Sequence, residues 1–88
     1  MFLKFTTIGP QGRGTAYADA NTIKVWNDGE IRDPADARKV RVVNVVGEGY
    51  GIVVAEDFEA VSKKILEARG ETYTAPAPAG PSLIAKAN

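Results

Sequence analysis

The sequence predicts an α+β domain: a small antiparallel, meandering sheet of about four strands, one C-terminal helix packed on a face of it, and an extended Pro-rich tail. Three observations carry this. Lys39-Val40-Arg41-Val42-Val43-Asn44-Val45-Val46 is dense in β-branched residues, which suit a pleated surface. Gly47-Glu48-Gly49 is a hairpin signal, and Tyr50-Gly51-Ile52-Val53-Val54 returns as the partner strand. Between Asp57 and Arg69, the residues Phe58, Val61, Ile65, Leu66 and Ala68 fall on one side at helical spacing.

The remaining elements follow in chain order. Phe2 to Ile8 sets large apolar residues between Lys4, Thr6 and Thr7 and reads as a first strand. Gly9-Pro10-Gln11-Gly12-Arg13-Gly14 marks a loop through its glycine and proline density. Thr15 to Ala18 forms a short second strand, and Asp19-Ala20-Asn21 a turn, because Asp and Asn bond their own backbone. Thr22 to Trp26 alternates as a third strand. Asn27 to Arg38 is expected as a long polar connection, in which Asp33 caps a single helical turn with Pro34 at its first position. In the helix, Glu56 and Asp57 at the start and Lys63, Lys64 and Arg69 later complement the dipole. Glu59 and Lys63 are spaced as a favourable pair, and Gly70 suits the position just past the end. Residues 1–70 are expected to form one domain, and 71–88 a tail. Ala75-Pro76-Ala77-Pro78-Ala79-Gly80-Pro81 favours polyproline II, and an apolar plug, Leu83-Ile84, closes it.

Composition narrows the function. Lysine plus arginine equals aspartate plus glutamate at 11 each, so the net charge is zero. This argues against a nucleic-acid backbone as main partner, which needs a basic excess, and favours self-association. There is no cysteine, hence no disulfide and no thiolate metal site, and a cytoplasmic setting is expected. No basic leader with an apolar run is seen at the start, and no apolar stretch approaches the ~20 residues needed to cross a membrane.

Candidate chemistry is sparse. Histidine and cysteine are both absent, which removes the two commonest nucleophile–base devices. Asp28, Glu30, Asp33 and Asp36 form an acidic stretch, but its spacing does not match a calcium loop, and a solvated loop is the expected role. Gly9-x-x-Gly12-x-Gly14 lacks the Lys-Ser/Thr of a phosphate-binding loop. The expectation is therefore no catalytic residue, no cofactor and no metal.

The hairpin itself points to a partner. Both faces of the strands from Lys39 to Val54 carry valines, whereas one helix covers only one face. Each wet valine forgoes about 1.5–3 kcal/mol of burial. The second face is expected to be covered by another copy, by the tail or by a different protein; a homo-oligomer is the preferred expectation, using Trp26, Val43, Val45 and Val53, with Leu83 and Ile84 of the tail docked in a groove of the same or a neighbouring subunit. The rival expectation is a small nucleic-acid-binding regulator using Arg38, Lys39 and Arg41, with Tyr17 and Trp26 as stacking platforms.

Val42-Val43-Asn44-Val45-Val46-Gly47-Glu48-Gly49-Tyr50-Gly51-Ile52-Val53-Val54, continuing through Ala55-Glu56-Asp57-Phe58-Glu59-Ala60-Val61 to Ile65, resembles the strand–turn–strand–helix end of FlbD-type small proteins of bacterial flagellar operons. Asp57 stands where that family typically has Ser at the helix start, and the Glu is displaced by one position. Ala18 to Ile23 resembles the family's short turn before its middle strand. The likeness covers about half the chain; the Asn27–Arg38 stretch and the Pro-rich tail depart from it. The resemblance implies a strand meander packed by a C-terminal helix, without enzyme chemistry, and carries over no functional residue. A non-enzymatic interaction module of a bacterium or phage is the expected function.

Overall fold

The structure is a computed structural model and describes residues 1–74. Five strands and one helix follow in order: β1 (Phe2–Gly9), β2 (Gly12–Asp19), β3 (Ile23–Arg32), β4 (Lys39–Gly47), β5 (Tyr50–Val54) and α1 (Phe58–Ala68). The sheet order is β2-β1-β5-β4-β3, and each pairing is antiparallel. The α+β class and the antiparallel meander with one helix are as the sequence predicts, with five strands instead of about four.

Two hairpins and one seam build the sheet. In the first hairpin, Phe2 to Gly9 pair with Asp19 to Gly12 around a two-residue turn, Pro10-Gln11. The Gly9–Gly14 stretch is thus mostly strand, not loop. The second unit is the β3–β4–β5 meander. β3 runs on through Asn27-Asp28-Gly29, which the sequence suggests as a turn, and reaches Arg32. Pairing with the valine-rich β4 overrides the local turn preference. The polar side chains of β3 are tolerated because it is an edge strand with solvent beside it.

A register shift between Ile23 and Val25 makes a bulge at the start of β3. The β4–β5 turn at Glu48-Gly49 is regular by contrast. There Gly47 lets the Tyr50 ring lie on the backbone: a Cβ at Gly47 would stand 2.3 Å from that ring.

The core lies on the inner face of both units. By strand alternation and register, Val43 and Val45 of β4 share this face with Ile52 and Val54 of β5. Leu3, Phe5, Ala18, Ile23, Val43, Val45 and Val54 form one cluster with Val61 and Ile65 of α1. Val61 and Ile65 are the helix positions the sequence puts on its apolar side. Phe58, placed there too, instead stays 40% exposed.

The end of α1 is fixed as expected. Gly70 takes φ 81, its N–H donates to the Glu67 carbonyl, and the Glu71 N–H reaches the Leu66 carbonyl at 2.9 Å. The expected Glu59–Lys63 pair is not closed among the described residues. Lys64 pairs instead with Glu56 at 3.0 Å.

That pair belongs to the seam. β1 and β5 share a single bridge, Thr7 with Val54, extended by one backbone bond from the Ala55 N–H to the Thr6 carbonyl. Beyond it the ladder is replaced by side chains. Glu56 Oε2 accepts from the Thr6 N–H at 2.8 Å, and Lys64 Nζ donates to the Lys4 carbonyl at 2.8 Å. Backbone groups that would lose their partners at the end of β5 are thereby satisfied.

Between β2 and β3 the chain makes a three-residue 3-10 turn, Ala20–Thr22, whose cap Asp19 accepts from the Asn21 N–H. Arg69 locks this turn to the helix end. Its Nε donates to the Ala20 carbonyl at 2.8 Å and its Nη2 to the Ile23 carbonyl.

Candidate interaction surface

The outer face of the sheet carries the odd residues of β3 from Val25 and the even residues of β4. Val25 lies directly opposite Val46, and Val46 opposite Gly51 of β5. Val25 and Val46 are 51% and 41% exposed. On the first hairpin, Lys4 pairs with Tyr17 and Phe2 with Asp19, which puts Phe2 and Tyr17 diagonally on one face, 70% and 64% exposed. These are large apolar groups on a small domain.

Val43 and Val45 do not belong to this surface. Both are fully buried and pair with Val54 and Ile52 under the helix. Val53 pairs with Asn44 and so lies on the opposite, outer face. The expected interface set therefore joins residues from two sides of the sheet, and this assignment is corrected: register, which no single strand reveals, puts Val43 and Val45 inside. Leu83 and Ile84 lie outside the described residues.

Part of the outer face is covered by the chain itself. Val42 and Ile8 are buried yet stand outside the main core cluster. Ile8, Ile31 and Val53 line an open groove of about 280 Å³ together with Pro10 and Pro34. The two proline-bearing loops are tied by Arg13 and Asp33, 3.0 Å apart.

Trp26 takes a double role. Its ring packs against the core, its Nε1–H donates to Ser62 Oγ at 2.8 Å, and the Arg69 guanidinium lies 5.9 Å from the ring centre. The ring is only half-buried. Its open side joins Val25, Phe58, Ser62, Leu66 and Tyr73 in a shallow groove of about 410 Å³ between β3 and α1. Phe58, Ser62 and Leu66 recur at i, i+4 and i+8, a second helical stripe beside the core stripe.

The basic cluster is spread and largely matched by acids. Arg41 pairs with Asp28 at 3.2 Å and Arg38 with Asp36 at 3.3 Å, while Lys39 is exposed opposite Arg32. The acidic stretch has structural uses. Asp33 accepts from the Ala35 N–H at 2.8 Å, and its carbonyl takes the Ala37 N–H, closing the single turn expected there without a helix. Ala37 follows at φ 63, in the left-handed region.

Among the described residues no three acidic side chains are arranged to hold a metal, and no helix is long and apolar enough to cross a membrane. No protein-family description, curated protein or solved structure matches the chain.

Sequence reasoning missed Phe2, Val25, Val46, Phe58 and Tyr73. A signal was present for Val25 and Val46: each follows the alternation that puts its neighbours, Trp26 and Val45, inside. The bulge beside Ile23 hid it, because it shifts the parity of β3.

Proposed function

We propose that this protein is a non-enzymatic interaction module that self-associates through the outer face of its sheet. The observation that supports it best is the side-by-side pair Val25 and Val46, half-exposed next to the bare backbone of Gly51. An apolar strip without side-chain relief suits a flat, self-complementary contact, and a zero net charge leaves little mutual repulsion between copies. Phe2 and Tyr17 extend the apolar surface on the first hairpin. Leu83 and Ile84 complete the reading as a clamp reaching from the tail. A cytoplasmic bacterial or phage setting fits a cysteine-free chain and the FlbD-type likeness.

The test is solution mass by light scattering over a concentration series, for the full chain, for Val46→Lys and for a chain ending at Tyr73. A defined oligomer that Val46→Lys converts to monomer supports the reading. A monomer at every concentration refutes it. The nucleic-acid alternative has weaker support, since Arg38 and Arg41 already face carboxylates; salt-sensitive binding of single-stranded DNA, lost on neutralising Arg38, Lys39 and Arg41, would revive it.

A further inference from the structure

β3 is the longest strand and ends the sheet, with β4 on one side and no strand on the other. The pairing fixes what its free side presents. Beyond the last register pair, Arg32 with Lys39, the Asp33 N–H donates to the Arg38 carbonyl at 2.7 Å. Bonded positions alternate along an antiparallel ladder, so Ile31, Gly29, Asn27 and Val25 direct their N–H and C=O groups to β4. Trp26, Asp28 and Glu30 turn theirs outward, as a row of donors and acceptors with no strand opposite. Such a row takes up another strand unless charge or shape prevents it.

Charge on this edge selects one register. A two-fold contact between copies sets β3 antiparallel to itself, with the outward, even-numbered residues opposite one another. Centred on Asp28, the contact would set Asp28 against Asp28 and Lys24 against Arg32. Centred on Gly29, it would set Asp28 against Glu30. Centred on Trp26, Lys24 would face Asp28, whose charge Arg41 already holds at 3.2 Å. Centred on Asn27, Lys24 meets Glu30 twice. Lys24 and Glu30 have no ion-pair partner of their own among the described residues. The same register lays the half-exposed Val25 over Gly29 of the second copy, which has no side chain to obstruct it.

We propose that two copies of this chain pair antiparallel along the β3 edge, centred on Asn27, so that the five strands of each join in one continuous sheet. The two-fold axis stands perpendicular to the sheet, and both outer faces point the same way. The inference rests on self-association and adds a second surface to it. One strand pair covers less area than a lasting dimer needs, so in dilute solution the edge contact is lost together with the outer-face contact.

The chain has no cysteine, so introduced thiols report on position alone. Asn27 is exposed and, on the axis, meets itself in a non-bonded pair with Cα atoms about 4.5 Å apart, within disulfide range. Arg32, equally exposed, stands about 30 Å from its counterpart. Asn27→Cys and Arg32→Cys are oxidised gently at high protein concentration, and covalent dimers are followed with time on non-reducing gels; far-ultraviolet circular dichroism checks each fold. Asn27→Cys should cross-link roughly tenfold faster or more, since pairing raises the local thiol concentration. Adding Lys24→Glu should slow it about tenfold, as two cross-strand pairs turn from attraction to repulsion, and Lys24→Glu with Glu30→Lys should restore it. Equal rates at 27 and 32 would overturn the proposal, as would a Lys24→Glu without effect or a double reversal that fails to restore the rate. Val46→Lys reads the outer face separately. Monomers from Val46→Lys with equal rates at 27 and 32 sink the edge contact alone. An unchanged mass with fast cross-linking at 27 sinks the outer-face contact alone and supports the edge.

Discussion

Val45 and Val46 are neighbours in sequence with opposite fates, and substituting each in turn tests the register of the whole sheet. Val45 is fully buried opposite Ile52; Val46 is outward, opposite Val25 and Gly51. Val45→Ala deletes two methyl groups, worth about 1.6 kcal/mol of transfer, and leaves a small cavity, for a total of about 2–3 kcal/mol. In a domain of this size that lowers Tm by roughly 10–20 °C. Val45→Lys goes further. It forfeits about 1.5–3 kcal/mol of burial and places an ammonium in the apolar core, at several kcal/mol more. The total stability expected for a chain this long is about 4–13 kcal/mol, so this variant is unfolded or nearly so. Val46→Ala and Val46→Lys should change stability by only about 0.5 kcal/mol, and under the proposed self-association Val46→Lys should shift the mass to that of a monomer. Thermal melting by circular dichroism with light scattering on the same samples reads both effects. A folded Val45→Lys with near-native Tm, or a Val46→Ala as costly as Val45→Ala, would refute the assignment. A one-residue slip exchanges the two faces and would produce that result.

Further outcomes are expected elsewhere. Arg69→Met should lose about 2 kcal/mol in urea unfolding, because the carbonyls of Ala20 and Ile23 lose a shared charged donor and Trp26 its stacked cation; no change would mean water replaces the guanidinium. Glu56→Ala should cost about 0.5–1 kcal/mol by removing the exposed acceptor of the Thr6 N–H, and Glu56→Gln clearly less, since it keeps an acceptor there; equal losses would place the weight on the Lys64 ion pair instead. Ala37→Gly should raise stability by about 0.5–1 kcal/mol, because φ 63 suits glycine, and a loss would show that the turn relaxes around alanine.

The legible parts of the fold were those set by local rules. The β4–β5 hairpin is announced by its valines and glycines, and the helix by Val61 and Ile65 together with Gly70. The single turn at Asp33 follows from Pro34 and from the bonding habits of Asp side chains. What escaped was set by pairing. Asn27-Asp28-Gly29 has turn chemistry, yet lies in a strand because Asn44, Val43 and Val42 stand opposite. The faces of β4 could be sorted into two sets from the sequence, but which set is inside depends on β1 and on α1, which are distant in sequence. Trp26 was recognised as important. Its groove could not be foreseen, because it needs the helical stripe Phe58–Ser62–Leu66 laid beside the edge of β3.

The lone bridge between Thr7 and Val54 also sets the order of events in folding. Both hairpins join residues that are close along the chain, so each can zip up locally and early. Closing the seam must bring positions 7 and 54 together at the entropic cost of a long loop, repaid by the bridge, by the Glu56–Lys64 clamp and by packing Leu3, Phe5 and Ala18 into the cluster with Val43, Val45, Val54, Val61 and Ile65. With so short a ladder, the hydrogen bonds of the seam open more readily than those within either unit. In native-state hydrogen exchange the Thr6 and Ala55 amides should open well before those of β4. The molecule is two strand units joined by few backbone bonds along one line, and the shared apolar cluster, not the ladder, holds them together.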